Sequence, residues 1–158
     1  MSTDFILDHH CKSYPLSAAP CPASDLGQRQ WNVLAGDLAY PVAVLRTSAL
    51  AHNLRWMQDY ANRKGVALAP HGKTTMSPEL FAQQLQAGAW GLTFATVSQL
   101  AVGVEAGSQR AIIANQLVSD ADLDGLHTLL SRHAALRVGC GVGSHAQWRV
   151  FEDWARRR

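Results

Sequence analysis

Between residue 41 and the C-terminus, short apolar runs alternate with longer segments in which apolar residues recur every three or four positions. Short runs of this kind are typical of buried strands, and the longer spacing is typical of amphipathic helices. Because the strands recur about every two dozen residues with a helix between them, the pattern predicts parallel βαβ units in an α/β fold. The predicted strands lie at 42–45, 66–69, 90–95, 110–114 and 134–138, and the predicted helices begin near residues 47, 77, 98, 119 and 144.

The predicted helix boundaries carry residues that favour them. Ser77 is a good N-cap, Pro78 suits the first helical position, and Glu79 complements the positive end of the helix dipole. A glycine just beyond the last helical residue commonly ends a helix. Three of the predicted helices end in this way, at Gly65, Gly88 and Gly107.

A lysine is predicted to lie at the carboxyl edge of the sheet. Pro70 has no amide hydrogen to give to a ladder, so it ends the apolar run at 66–69, and Lys73 follows before the helix from Ser77. Ligands bind at this edge in parallel α/β folds. A lysine amine forms a Schiff base with a carbonyl compound when burial or a neighbouring cation makes it partly neutral. His71 is a candidate for that neighbour, and a core histidine is an equal alternative.

Two glycine-containing stretches match phosphate-binding patterns in part. The stretch 71–74 ends like G-x-x-x-x-G-K-[ST], but that pattern needs a glycine at position 67, where the chain has Ala67. The stretch 139–144 follows a predicted strand and precedes a helix, as a dinucleotide-binding fingerprint does, yet its third glycine would fall on Ser144. The first pattern is therefore excluded, and a plain turn is the favoured interpretation of the second.

Composition narrows the classes of protein without identifying one. The chain has 158 residues, of which 47% are hydrophobic and 16% are charged, as in ordinary globular domains. Its formal charge is +2 and its one basic cluster is at 156–158, so nucleic-acid binding is not expected. No apolar run approaches the ~20 residues of a membrane span. Three cysteines without CxxC spacing indicate neither a disulfide framework nor a zinc knuckle, and they fit a reducing cytoplasm.

Residues 1–40 show no clear period and are rich in proline, so we expect an irregular lead-in ahead of the main domain. Within it, His9-His10-Cys11 has the residue types of a metal site. Adjacent residues in a polar segment rarely converge on one ion, so we interpret these three as part of a mobile tail. The sequence predicts no metal ligands in this chain.

Five short motifs at the predicted strands and the first helix occur in an order that points to a family. Together, over about residues 40–137, they resemble the N-terminal part of fold-type III pyridoxal-phosphate enzymes, whose barrel is like the N-terminal domain of alanine racemase. The nearest group contains D-threonine aldolase, D-serine dehydratase and amino acid deaminase, in which a Pro-His-x-Lys-Thr segment carries the cofactor lysine. The motifs are Tyr40-Pro41-Val42-Ala43-Val44, Leu50-Ala51-His52-Asn53-Leu54, Ala69-Pro70-His71-Gly72-Lys73-Thr74, Gly91-Leu92-Thr93-Phe94-Ala95-Thr96 and Ile112-Ile113-Ala114-Asn115.

The resemblance implies a cofactor and a site. Lys73 would form a Schiff base with pyridoxal 5'-phosphate and transfer the proton at the substrate Cα, with His71 beside it as a further catalytic residue. Thr96 and Asn115, each at the carboxyl end of a predicted strand, would face the same end of the barrel as Lys73 and bind the cofactor. The substrate would be a D-amino acid, which undergoes either β-elimination, as in D-serine deamination, or retro-aldol cleavage, as in D-threonine cleavage. The full-length enzyme would be a homodimer and could use a divalent metal.

The resemblance also implies that this chain holds only part of the family's (β/α)8 TIM-type barrel. A closed barrel takes ~250 residues, so residues 41–158 would form an incomplete pyridoxal-phosphate-binding domain with about four barrel strands. The strand at 42–45 would belong with a second domain, and the loops that grip the cofactor phosphate and the metal ligands would be absent. Gly143 stands where the family usually has an aspartate. We therefore expect a truncated N-terminal fragment of a D-amino acid lyase that is inactive alone.

Two alternatives stay open. A half barrel leaves an open sheet edge, which suits a non-catalytic module for dimerisation or for handling pyridoxal phosphate. The glycine-rich stretch 139–144 leaves the weaker alternative of a small nucleotide-binding domain.

Overall fold

The computed structural model describes residues 5–158, and these divide into two units at the boundary between Arg46 and Thr47. The first unit has little regular structure, as a proline-rich segment favours. Its elements are the two-residue strands β1 (Ile6–Leu7) and β2 (Cys21–Pro22), which pair antiparallel, and two 3-10 helices, at Ala23–Arg29 and Val33–Ala35.

The predicted strand at 42–45 is wrong. This segment forms no ladder with any residue that the structure describes, and Val44 and Leu45 are exposed. A strand needs a partner for its amide and carbonyl groups, and an apolar run alone does not supply one. The pattern of parallel strands thus begins later in the chain than predicted.

The second unit is the α/β part of the chain, in which strands alternate with helices as predicted. Three of its helices begin at the predicted caps, because the hydroxyls of Ser77, Ser119 and Ser144 accept hydrogen bonds from amides in the first turn. None of the helices within residues 5–158 combines the length and the apolar character that a membrane span requires. The elements are α1 (Thr47–Lys64), α2 (Pro78–Gln86), β3 (Leu92–Phe94), α3 (Val97–Glu105), β4 (Arg110–Ile113), α4 (Asp120–Arg132), β5 (Arg137–Cys140) and α5 (His145–Arg156).

The strands β3, β4 and β5 form a parallel sheet in chain order, in which Thr93 pairs with Ile112 and Ile112 with Gly139. Consecutive parallel strands joined by right-handed crossovers carry their helices on one face. Ala111 and Ile113 of β4 are accordingly fully buried, whereas Ile112, which alternation turns to the other face, is exposed. The α/β fold with a parallel sheet is confirmed, and the four-stranded partial barrel stays a prediction.

The predicted strand at 66–69 is not a regular strand. The amide of Trp90 donates to the carbonyl of Leu68, and the amide of Thr93 donates to the carbonyl of Pro70, each at 2.8 Å. The chain advances two residues from Leu68 to Pro70 but three residues from Trp90 to Thr93. This extra residue is a β-bulge, which interrupts a regular ladder. The segment follows the edge of β3 without becoming a fourth strand.

The core of the second unit lies between the sheet and the helices, around an aromatic pair. Phe81 of α2 and Phe94 of β3 are fully buried, and their rings meet edge to face with centroids 5.6 Å apart. The buried cluster consists of Phe81, Leu92, Phe94, Val97, Leu100, Val104, Ala111, Ile113, Leu117, Leu123 and Leu136.

Asp124 connects α4 to α5. Its carboxylate accepts a hydrogen bond from the indole N–H of Trp154 at 2.8 Å and forms an ion pair with Arg158. The Trp154 hydrogen bond is the main reason that the pKa of Asp124 is lowered; Arg158 adds to the effect, and partial burial opposes it. The folded chain thus favours the charged form of this carboxylate.

We expect Asp124→Asn to make the free energy of unfolding depend less on pH under acidic conditions. A carboxylate whose folded pKa lies below its unfolded value of ~3.9 adds stability above that value and loses it as the pH falls through the folded pKa. Asparagine still accepts the Trp154 hydrogen bond but carries no charge. Between roughly pH 5 and pH 2, the free energy of unfolding measured in urea should therefore fall less steeply in the variant. Asp59→Asn, at an exposed position on α1, is the matched control, and an equal flattening there would contradict the assignment.

Candidate active site

The turn after Gly72 holds Lys73 at the carboxyl edge of the sheet. His71 forms a parallel β-bridge with Thr93, and the amide of Gly72 donates to the carbonyl of Thr93 at 2.8 Å. The carbonyl of Gly72 then accepts from the amide of Met76 at 2.9 Å. These bonds close the chain into one tight turn between the sheet and α2. Lys73 follows directly on the residue that anchors both sides of the turn.

Gly72 is required by packing. A Cβ at this position would lie 2.5 Å from the ring of Phe94 and 2.8 Å from the ring of Phe81, closer than carbon atoms approach without overlap. These are the two rings at the centre of the core. The turn therefore rests directly on the core, and a side chain at residue 72 would displace it.

Lys73 is exposed, and within residues 5–158 its ammonium group makes no hydrogen bond or ion pair. His71 is also exposed, so the alternative of a core histidine is wrong. The described residues thus leave the amine in contact with water, where a small molecule can reach it.

Thr96 and Asn115 lie at the same edge of the sheet, each two residues beyond the end of its strand. Both are exposed, and both serve the local backbone. Thr96 caps α3 by accepting from the amide of Gln99 at 3.2 Å, and Asn115 accepts from the amide of Gln116 at 3.1 Å. The parallel register brings these positions to the edge that carries Lys73. The roles of the four predicted site residues stay predictions.

Two glutamines outside the predicted site order the loops at this edge. Gln147, in the first turn of α5, accepts from the amide of Gly143 at 2.7 Å and donates to the carbonyl of Gly141 at 2.9 Å. Gln99, in the first turn of α3, accepts from the amide of Ala95 at 3.0 Å. Both follow the capping-box spacing, in which a Ser or Thr cap precedes Glu or Gln by three positions. That spacing is the sequence signal that identifies them.

The glycine-rich stretch 139–144 is held as a turn of the protein itself. A phosphate at a helix N-terminus binds free backbone amides. Here the amide of Gly143 is already taken by Gln147, whose side chain is buried. This arrangement disfavours the nucleotide-binding alternative.

Two of the cavities in the second unit lie beside the elements described above. One of about 410 Å³ is lined by the loop after β4 and the start of α5, at the carboxyl edge of the sheet. The other, of about 380 Å³, is a mostly apolar groove between α1 and α2. Lys73 lines neither of these two cavities.

No protein-family model matches the chain. The chain is 41% identical over 105 residues to a D-threonine aldolase of an Arthrobacter species, a match that covers 66% of this chain and 27% of that enzyme. Among solved structures, the D-threonine aldolase from Filomicrobium marinum superposes with a TM-score of 0.69 at 31% identity, covering 77% of this chain and 32% of the other. The D-threo-3-hydroxyaspartate dehydratase from Delftia sp. HT23 superposes with a TM-score of 0.65 at 28% identity, covering 76% of this chain and 31% of the other.

These relatives bear out the resemblance drawn from the motifs. The chain is similar to the D-threonine aldolase group of fold-type III pyridoxal-phosphate enzymes, at both the sequence and the structural level. It spans less than a third of the length of the relatives that it matches. The predicted resemblance is therefore confirmed for part of those enzymes only.

Proposed function

We propose that this chain carries the lysine-bearing, N-terminal part of a pyridoxal-phosphate-dependent lyase that acts on D-amino acids. In this proposal Lys73 is the residue to which the cofactor attaches. One observation supports it above the others: a lysine with no ion-pair partner among residues 5–158 lies at the carboxyl edge of a parallel sheet, in a chain that is 41% identical over 105 residues to a D-threonine aldolase.

The described residues fit the aldehyde end of pyridoxal phosphate better than its phosphate end. Lys73 offers a primary amine that solvent reaches and that no ion pair within residues 5–158 occupies. At the start of α5, by contrast, the amide of Gly143 already donates to the side chain of Gln147, and the amide of Gln147 donates to the hydroxyl of Ser144. The described residues would therefore hold the cofactor firmly at one end only.

Pyridoxal phosphate, when bound, supplies the electron sink that stabilises negative charge at the substrate Cα. Lys73 Nζ would bind the aldehyde carbon of the cofactor, whose oxygen leaves as water, and would move a proton at the substrate Cα. The two solved relatives are named for different outcomes, an aldolase and a dehydratase. Both cleavage of the Cα–Cβ bond and loss of a β-hydroxyl group therefore stay within the proposal.

We expect the isolated chain to bind pyridoxal phosphate weakly and to turn over no substrate. The chain has only three lysines, Lys12, Lys64 and Lys73, and all are exposed. Borohydride reduction in the presence of the cofactor should therefore label all three to a similar extent, as peptide mass mapping would measure. A label confined to Lys73 would contradict the expectation of weak binding, although it would support the assignment of the lysine.

The activity is tested in a chimera in which residues 47–144 of this chain replace the corresponding segment of the Arthrobacter D-threonine aldolase. If the proposal holds, the chimera retains pyridoxal phosphate on Lys73 and releases glycine from D-threonine. Retained cofactor shows that the chimera has folded. Cofactor retention therefore measures folding, and glycine release measures activity. A chimera that holds the cofactor on another lysine would show that Lys73 is assigned wrongly.

The remaining alternative is a non-catalytic module for dimerisation or for handling pyridoxal phosphate. That alternative stays a prediction, as do the homodimer of the full-length enzyme and the cytoplasmic location.

A further inference from the structure

A turn in the first unit gathers three side chains of the kinds that bind metal ions. One ligand atom from each of Asp8, His9 and His10 lies within 4.8 Å of the others. The imidazole rings of His9 and His10 are neighbours, with centroids 4.0 Å apart and planes tilted by 38°. The sequence points to His9-His10-Cys11, which we interpret as part of a mobile tail. In the structure the group that gathers is Asp8, His9 and His10, without Cys11.

Hydrogen bonds hold this turn in shape. The amide of Cys11 donates to the carbonyl of Asp8 at 2.9 Å, which closes the turn just after β1. The carboxylate of Asp8 accepts from the amide of His10 at 2.8 Å and lies 3.1 Å from His10 Nδ1. The side chain of Asp8 is 29% exposed and that of His10 is 78% exposed. The turn therefore offers one fixed carboxylate and one imidazole with room to rotate.

The chemistry of the three groups selects the kind of ion. Calcium and magnesium prefer shells made of oxygen ligands, whereas zinc accepts imidazole nitrogen together with carboxylate oxygen. With zinc–ligand bonds of about 2.0–2.2 Å, the ligand atoms of a tetrahedral site lie roughly 3.3–3.6 Å apart. The atoms here must therefore close in by about an ångström or slightly more, which rotation between side-chain rotamers supplies at exposed positions.

We propose that Asp8, His9 and His10 form a zinc site, with water completing the coordination shell. The site lies in the first unit of the chain, whereas Lys73 lies in the second. It does not depend on the lyase function proposed above, and either proposal can fail without the other.

The test is calorimetric titration of the untagged full-length chain with zinc chloride, together with the visible absorption of added cobalt. We expect one zinc ion per chain. His9→Ala and His10→Ala should each weaken binding at least about tenfold, as loss of a protein ligand or its support commonly does. The His9→Ala/His10→Ala variant should not show the visible absorption band of cobalt bound to imidazole nitrogen. Asp8→Asn keeps an oxygen acceptor for the His10 amide but removes the charge, and it should also weaken binding.

His133→Ala is the matched control, because His133 is exposed and lies in the second unit. It should leave the zinc affinity unchanged. Far-UV circular dichroism shows whether each variant folds like the parent chain. Zinc binding that survives in a folded His9→Ala/His10→Ala chain, or that falls equally in the His133→Ala control, overturns the proposal.

Discussion

In the chimera that carries residues 47–144, Lys73→Ala is expected to lower the rate of D-threonine cleavage by about 10²- to 10⁴-fold or more, because it removes the amine that we propose moves the proton at Cα. The same change removes the proposed attachment point of the cofactor, so pyridoxal phosphate should be lost when the protein is desalted. Initial rates of glycine release and the absorbance of the retained cofactor measure the two effects.

Two further variants separate charge from chemistry. Lys73→Arg keeps a positive charge, but a guanidinium group stays protonated and cannot serve as an amine, so this variant should be as inactive as Lys73→Ala. Lys64→Ala removes the other lysine of the grafted segment and should leave the rate nearly unchanged. Full activity in a Lys73→Arg chimera would show that residue 73 acts only through its charge.

Phe94→Ala is expected to lower the free energy of unfolding of the chain by about 3–5 kcal/mol, as other buried phenylalanine truncations do. Phe94 is fully buried and meets Phe81 edge to face. Its ring also fills the space where a Cβ would stand at Gly72 and at Gly103. Urea unfolding followed by circular dichroism measures the loss.

The contact between Phe94 and Gly72 can be isolated by a double-mutant cycle. Gly72→Ala alone should cost about 1–3 kcal/mol, because the added methyl group overlaps both rings. In the Phe94→Ala background the methyl group enters the space that the ring has left, so the combined loss should be smaller than the sum by about 0.5–3 kcal/mol. Gly141→Ala, whose Cβ would meet nothing within 4 Å, is the control and should change stability by less than about 0.5 kcal/mol. Strictly additive losses would contradict the packing role of Gly72.

The helices of the second unit could be predicted because their signals are local. Ser77 and Pro78 at the start of α2, and Gly65 after α1, act on the few residues beside them, and the structure places helix ends at these positions. The start of α3 was predicted less well. Thr96 is its cap, although Ser98 lies close enough to compete for the same role in the sequence.

The strands were harder to predict because a strand depends on its partner. The apolar runs at 42–45 and 66–69 look alike in the sequence. Among the residues that the structure describes, only the second lies beside another strand, and there a bulge interrupts the pairing. β5 begins later than predicted, because the amide of Leu136 donates to the carbonyl of His133 in the turn that follows α4. No local sequence pattern predicts where the turn between α4 and β5 ends.

For the candidate site, the sequence predicted which edge of the sheet carries Lys73, but it did not predict which side chains pack against the turn. Pro70 and the following turn place Lys73 beyond the strand region, as the parallel-sheet rule requires. The need for glycine at residue 72 depends on Phe81 and Phe94, which are distant in the sequence, so it could not be read from neighbours. The exposure of His71 likewise depends on what covers the sheet.

The chain order of the sheet has a consequence for folding. Leu92 pairs with Ala111, and Ala111 pairs with Val138, so each strand finds its partner in the next strand along the chain. Each pairing closes a loop that contains one helix, and the entropy cost of closing a loop rises only slowly with its length. The pairing at His71 is equally near, with Thr93 as its partner. We infer that the edge bearing Lys73 is assembled from pairings between neighbouring segments of the chain, so that no pairing among the described strands has to join its distant parts.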